Sequence, residues 1–325
     1  MEDLNHCLTI EPQLAPAWLD RGDLHSTIAT YRESIGQDPI PSYTAALEDL
    51  NRMAPLQLNN ASFRIARGVI LTNWGTYEMR HGRPEEGESR MKTAIEDYLE
   101  AIHLDPRQTV TWSHLGHAYA NWGMGLSVRK SDPSELYDKA VKAYSQAIAL
   151  DESSYRGWQG RGRVHGNWGR HESRSGRSAE SLYAAALKDQ ARAVELNPHY
   201  FEVWSERGNL KWSWASYKQK VGEEGHALLT SALDDISKAI NLNPRMAGLW
   251  VDRGNLRWAM LRIKIKNHED PIPLIRQAMD DFEESVKRIP TLAEPWCWRA
   301  DLASLLARQP SERPNANDLF KQALE

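Results

Sequence analysis

The chain has 325 residues, 41% hydrophobic and 26% charged, with a mean hydropathy of −0.62. Its 40 Lys and Arg against 44 Asp and Glu leave a net charge of −4, so no global basic balance points to nucleic acid or an anionic membrane. Cys7 and Cys297 are too few for a disulfide framework, no apolar run reaches membrane-span length, and the N-terminus lacks a signal peptide's regions, so a cytoplasmic chain with reduced thiols is expected.

From the N-terminus, Met1 to Leu8 (MEDLNHCL) reads as the second half of a helix, and everything after it is one pattern repeated. Stops stand at Pro12, Leu58, Pro106, Glu152, Pro198, Pro244 and Pro290, 46 residues apart except for 48 between Leu58 and Pro106. A period of this size signals stacked repeats, each burying its apolar face against its neighbours. Six residues after the stops come Trp18, Arg64, Trp112, Trp158, Trp204, Trp250 and Trp296. Three further on come Arg21, Arg67, Leu115, Arg161, Arg207, Arg253 and Arg299, followed by Gly22, Gly68, Gly116, Gly162, Gly208, Gly254 and Ala300. Twelve before the next stop lie Ala46, Ala94, Ala140, Ala186, Ala232 and Ala278, and four later Leu50, Tyr98, Tyr144, Gln190, Ile236 and Phe282.

This register resembles the tetratricopeptide repeat over the whole chain, with its W-x2-L-G-x2-Y, A-x3-F and closing Pro. Three departures stand out: a period about 12 residues longer than the usual 34, Arg in place of Leu before the Gly, and a Tyr slot filled only by Tyr119. The fold implied is all-α, a right-handed α-solenoid of stacked antiparallel helix hairpins in one array. It runs from a half-helix (1–11) through repeats 12–57, 58–105, 106–151, 152–197, 198–243 and 244–289 to a terminal helix and half-helix at 290–325.

Each repeat divides into helices A and B. The A helices should start near Leu14, Asn60, Gln108, Ser154, Tyr200, Met246 and Leu292. Pro39/Pro41, Pro84, Pro133, Pro271/Pro273 and Pro310/Pro314 mark the A-to-B turns; Asp132 and Ser178 offer caps. The extra residues continue the A pattern through Trp214, Tyr217 and Val221, giving long hairpins. Gly166 to Ser181 (GNWGRHESRSGRSAES) is the exception, glycine- and serine-rich, and reads as a loop. At 100° per residue, positions 6, 9, 10, 13, 16 and 17 share one face. Two tryptophan layers, at positions 6 and 16 (Trp74, Trp122, Trp168, Trp214), are therefore expected in the core, with the recurrent Arg holding its stem along the core edge and its head in water.

The opposite side of the A helices is, by the resemblance, the lining of a concave groove. Asn73, Asn121 and Asn167 at position 15 and Asn209 and Asn255 at position 11 form a candidate amide track, since Asn both donates to and accepts from an extended peptide backbone. His114, His117 and Arg163 give a neutral-to-basic middle, Glu206 and Asp252 an acidic later part, and Trp298 an aromatic near the end. A partner segment acidic and then basic fits that gradient. The chaperone-type carboxylate clamp lacks its lysines. His114 and His117 have no third ligand beside them, and Gly160–Arg163 has neither the strand nor the Gly-Lys of a phosphate loop, so no metal and no cofactor is expected. Trp212 and Trp258 read as inter-repeat packing.

The function this supports is a non-enzymatic protein–protein interaction scaffold holding an extended peptide. Two rivals stay open: a regulatory or docking segment of a larger enzyme such as a kinase or transferase, and a helical-repeat nucleic-acid binder through the arginines of Arg156–Arg177. The tail Asp318–Glu325 stops just past Ala323 in mid-helix, as the head begins, which suggests an excised piece or head-to-tail self-association.

Overall fold

The structure, a computed structural model, describes residues 1–57 and 60–309. Leu58, Pro310, Pro314 and the expected half-helix Asp318–Glu325 with Ala323 lie outside the described residues. Fourteen α-helices follow one another there: α1 (Glu2–Ile10), α2 (Ala15–Ser34), α3 (Ile40–Gln57), α4 (Ala61–Arg80), α5 (Pro84–Leu104), α6 (Thr109–Val128), α7 (Ser134–Leu150), α8 (Tyr155–Arg174), α9 (Glu180–Leu196), α10 (Phe201–Lys220), α11 (His226–Leu242), α12 (Ala247–Lys266), α13 (Ile272–Arg288) and α14 (Ala293–Ala307). Even-numbered helices are the A helices and odd-numbered ones the B helices, packed as sequential hairpins. The chain divides into two compact units, Met1–His171 and Glu172–Glu325.

The expected A-helix starts coincide with the observed caps. Leu14, Asn60, Gln108, Tyr200, Met246 and Leu292 are N-caps, and the Asn60 side chain accepts from the Ser62 amide at 2.8 Å. The six A helices from α2 to α12 are each 20 residues long, so the residues beyond the usual repeat are helical. Among the turns between them and the B helices, Gly36, Gly82, Gly176 and Gly222 take positive φ, a conformation open to Gly without a Cβ penalty.

The hairpins α4–α5 and α12–α13 close on a glycine. A Cβ on Gly68 would lie 2.6 Å from the Tyr98 ring, and one on Gly254 2.6 Å from Phe282. The facing Ala94 and Ala278 are fully buried, so the two helices touch backbone to ring with no room between. Position 16 packs successive hairpins together, but of the four indoles expected in the core only Trp74 is buried, and Trp122, Trp168 and Trp214 are half-buried. Trp74 stacks on Tyr43 at 5.8 Å, Trp168 lies against Tyr137 at 6.1 Å, and Trp214 stacks on Tyr183 at 6.3 Å. Each pair joins an A helix to the B helix before it.

Three further expectations change. Gly166–Ser181 is not a loop: α8 continues to Arg174, and only a short turn separates it from α9. Just before that stretch the helix is held by close packing: Gly160 of α8, like Gly116 of α6, lies against the Tyr144 ring, where any Cβ would clash. Ser178 does not cap α9, whose N-cap is Ala179, held by its amide donating to Tyr217 Oη at 3.3 Å. The position-6 indoles are not interior. Trp18 is buried, but Trp112, Trp158, Trp204 and Trp250 are half-buried and Trp296 is exposed, because each lies across the start of its helix.

Candidate partner-binding face

A latch explains the position-6 tryptophans. The indole N–H reaches back six residues and donates to the stop residue's carbonyl: Trp18 to Pro12 (2.8 Å), Trp112 to Pro106 (3.0 Å), Trp204 to Pro198 (2.8 Å) and Trp250 to Pro244 (3.0 Å). The Arg three residues later covers the ring, at 4.5 Å from the centroid for Arg21 on Trp18 and 4.7 Å for Arg253 on Trp250.

The arginine heads are not in water, contrary to expectation. Arg21 grips Asp49 (2.6 and 2.9 Å), Arg67 grips Asp97 (2.5 and 2.6 Å), Arg207 grips Asp235 (2.6 and 2.8 Å) and Arg253 holds Asp281 (2.7 and 2.9 Å). All four carboxylates are buried on B helices. Sequence reasoning passed over them although the signal was present: an Asp nine residues before the stop accompanies the Arg. In α10 and α12 the latch and the ion pair share one side of the A helix, and the asparagine positions fall on the other.

On that other side the five asparagines differ in what they do. Asn121 bridges helices, donating to Thr76 Oγ1 at 3.2 Å and lying 3.1 Å from His117 Nε2. Asn209 donates to Asp252 Oδ2 at 3.0 Å, and Asn167 accepts from Arg170. Asn73 and Asn255 are half-buried with no side-chain hydrogen bond among the described residues. In the first unit, His114 stacks on Tyr98 at 5.8 Å, and burial together with Arg156 lowers its pKa. Burial, then Arg163, His114 and Arg80, push His117 down to about 4. Both rings are neutral near pH 7, so this part of the face is amide-like, and its positive charge comes from the exposed Arg163.

In the second unit, Glu206 accepts from Gln190 at 3.2 Å, and burial raises the Asp252 carboxyl against the opposing pull of its Asn209 bond. Trp298 lies half-buried against Phe282 at 5.4 Å. It lines a cleft of about 1220 Å³ together with Trp212, Trp258 and Asn255. Trp212 and Trp258 do pack on the core of this unit, as expected, but they also form the cleft wall.

Much of the arginine-rich stretch is tied down: Arg161 donates to Ser145 Oγ at 3.0 Å, Arg170 to Asn167 and Arg177 to Glu172. Among the described residues no three His, Cys, Asp or Glu gather as a metal site, and no helix is long and apolar enough to cross a membrane. Cys7 and Cys297 are unpaired.

No family model and no curated protein matches the sequence. Solved structures do. A tetratricopeptide repeat protein from Parabacteroides merdae aligns with 100% of this chain and 91% of its own at 14% identity and a TM-score of 0.50. PilF of Pseudomonas aeruginosa aligns over 80% of this chain and 91% of its own at 14% identity and a TM-score of 0.42. A thermophilic tetratricopeptide repeat protein of Thermus thermophilus aligns over 71% and 98% at 15% identity and a TM-score of 0.42. The fold is that of the tetratricopeptide repeat proteins, a solenoid of helical hairpins.

Proposed function

We propose that this chain is a non-enzymatic, cytoplasmic interaction scaffold that holds an extended segment of a partner protein against the free side of its A helices. The observation that carries this reading is the pair Asn73 and Asn255, whose amides lie half-buried on that side and are spent on nothing inside the protein. An amide with no partner inside the protein offers a donor and an acceptor together to the backbone of an extended peptide. The fold supports it too, because helical-repeat solenoids present long surfaces suited to extended partners. In the first unit Asn121 and Asn167, tied into bonds within the protein, shape the side that carries Asn73, and in the second Asn209 does the same beside Asn255.

The test is capture of partners from the source cell's lysate by the wild-type chain and by Asn73→Ala/Asn255→Ala. The expected result is a partner captured by the first and lost by the second, with equal melting temperatures. Equal capture by both would remove the amides from the reading, and no capture by the wild type would end it.

A further inference from the structure

Position 14 after the stop is small and buried in the first four repeats, where Ser26, Thr72, Ala120 and Gly166 occupy it. The hairpin therefore packs without a large side chain there. In α10 and α12 the same position is Trp212 and Trp258, and these indoles open onto the cleft that Trp298 of α14 completes. Most indoles in this chain are covered by its own cations, as Trp204 is by Arg207 at 4.8 Å and Trp214 by Lys218 at 5.6 Å. Trp212, Trp258 and Trp298 have neither a cation over the ring nor an acceptor for the N–H among the described residues.

Charge is unevenly placed around them. At the end formed by the turns after α10 and α12, Lys218 holds Glu223 at 2.7 Å and Lys264 holds Glu269 at 2.8 Å. Glu224, Arg262 and Lys266 line that same end and leave it with one positive charge over, Arg262 lying one helical turn beyond Trp258. Asp301, on α14 beside Trp298 in sequence, has no cationic partner among the described residues. The charge left unpaired beside Trp298 is therefore the Asp301 carboxylate.

We propose that this cleft takes an arginine- or lysine-bearing segment of a partner protein, its cation stacked on Trp258 and Trp298 and paired with Asp301. The proposal rests on the scaffold reading and names the chemistry of the occupant. An indole face attracts a cation through its quadrupole, and more strongly where a carboxylate and partial burial reduce competition from water. Tryptophan and arginine are also the side chains that most often carry the energy of protein interfaces. An acidic segment would bring its charge onto Asp301 unrelieved.

The indole N–H signals of ¹⁵N-labelled protein, assigned by substitution, report occupancy directly. The probes are capped peptides of Ala alternating with Arg, Lys, Glu or Leu. The Arg and Lys peptides should shift the Trp212, Trp258 and Trp298 signals, with affinity reduced about tenfold by Asp301→Asn and by Trp212→Ser/Trp258→Thr. Ser and Thr already fill that position in α2 and α4, so the double variant is expected to fold; its dispersed spectrum checks this. Equal or tighter binding of the Glu or Leu peptide, no shift with any peptide, or affinity indifferent to both variants overturns the proposal. If lysate partners are captured while the cleft fails this test, the scaffold reading stands without it; if nothing is captured, that reading falls separately.

Discussion

Leu115 and Ala143 share one apolar cluster at the two positions where four other hairpins set an arginine against a buried aspartate. The chain has thus made the exchange from ion pair to apolar pair once, and made it on both helices together. A buried pair costs desolvation that its attraction only partly repays, so a well-packed apolar replacement is often neutral, whereas a single deletion strands a charge.

That asymmetry is measurable at Arg21 and Asp49. The Asp49 side chain is 6% exposed, and without Arg21 the group left facing it is the His25 ring, at 3.8 Å. Arg21→Leu alone should destabilise the α2–α3 hairpin by about 3–5 kcal/mol, and Arg21→Leu/Asp49→Ala should recover most of the loss. Hydrogen exchange in α2 and α3 is the suitable readout, because a repeat array opens in pieces. A double variant as unstable as the single one would refute the exchange.

The repeat grammar was legible in the sequence because Trp, Gly and Ala recur in register, and those residues do set the hairpin: Gly22 meets the Ala46 carbonyl where the helices touch, and Asn60 starts α4 as read. What escaped was carried by tertiary partners. Arg at position 9 looks solvated until Asp49, Asp97, Asp235 and Asp281 are set beside it, and an Asp in a B helix looks solvated for the same reason. The indole of Trp204 seemed interior by helical angle, yet its N–H is bonded across the first turn, a contact no periodicity records. Gly166 to Arg174 lacks helix propensity but is helical because α8 packs on α7 through Gly160 and Tyr144. For the proposed face, the sequence presented Asn121 and Asn209 as equivalent to Asn73 and Asn255, and their bonds within the protein were not visible in it.

Two glycines of α12 should respond oppositely to alanine. At Gly254 the new methyl meets the Phe282 ring at 2.6 Å, while at Gly248 nothing lies within 4 Å. Gly254→Ala is expected to cost about 1–3 kcal/mol by overpacking, relieved in part by Phe282→Leu. Gly248→Ala should be neutral or stabilising by up to about 1 kcal/mol through helix propensity. Chemical denaturation of the three variants decides it, and equal destabilisation by both glycine substitutions would contradict the packing described.

Trp204→Phe separates the latch from its ring. Phenylalanine keeps an aromatic face for Arg207, whose guanidinium lies 4.8 Å from the indole, but loses the N–H bonded to the Pro198 carbonyl at 2.8 Å. The loss should be about 0.5–1.5 kcal/mol, the usual net worth of one hydrogen bond, plus a share for lost area. It should appear as faster hydrogen exchange at the start of α10, with the α12–α13 hairpin unchanged. Exchange that is unaltered near residues 198–204 would show the latch to be energetically idle.

His117 gives the array a pH dependence with a defined sign. Its folded-state pKa, pushed down to about 4 by burial and by Arg163, His114 and Arg80, lies below the unfolded value of about 6.5. The unfolded chain therefore binds a proton that the folded one refuses, and the stability tied to neutral His117 is complete above pH 6.5 and lost as pH falls toward 4. Carboxylates titrate in the lower part of that range, so the comparison belongs between pH 7 and pH 5. His117→Gln retains an amide near Asn121 without a titrating group; its α4–α6 region should lose less stability over that interval than the wild type does. The ring signals of His117 in the wild type should stay at their neutral positions down to pH 5. A midpoint near 6.5 would place the ring in water, and with it remove the contact to Asn121 that shapes this part of the proposed face.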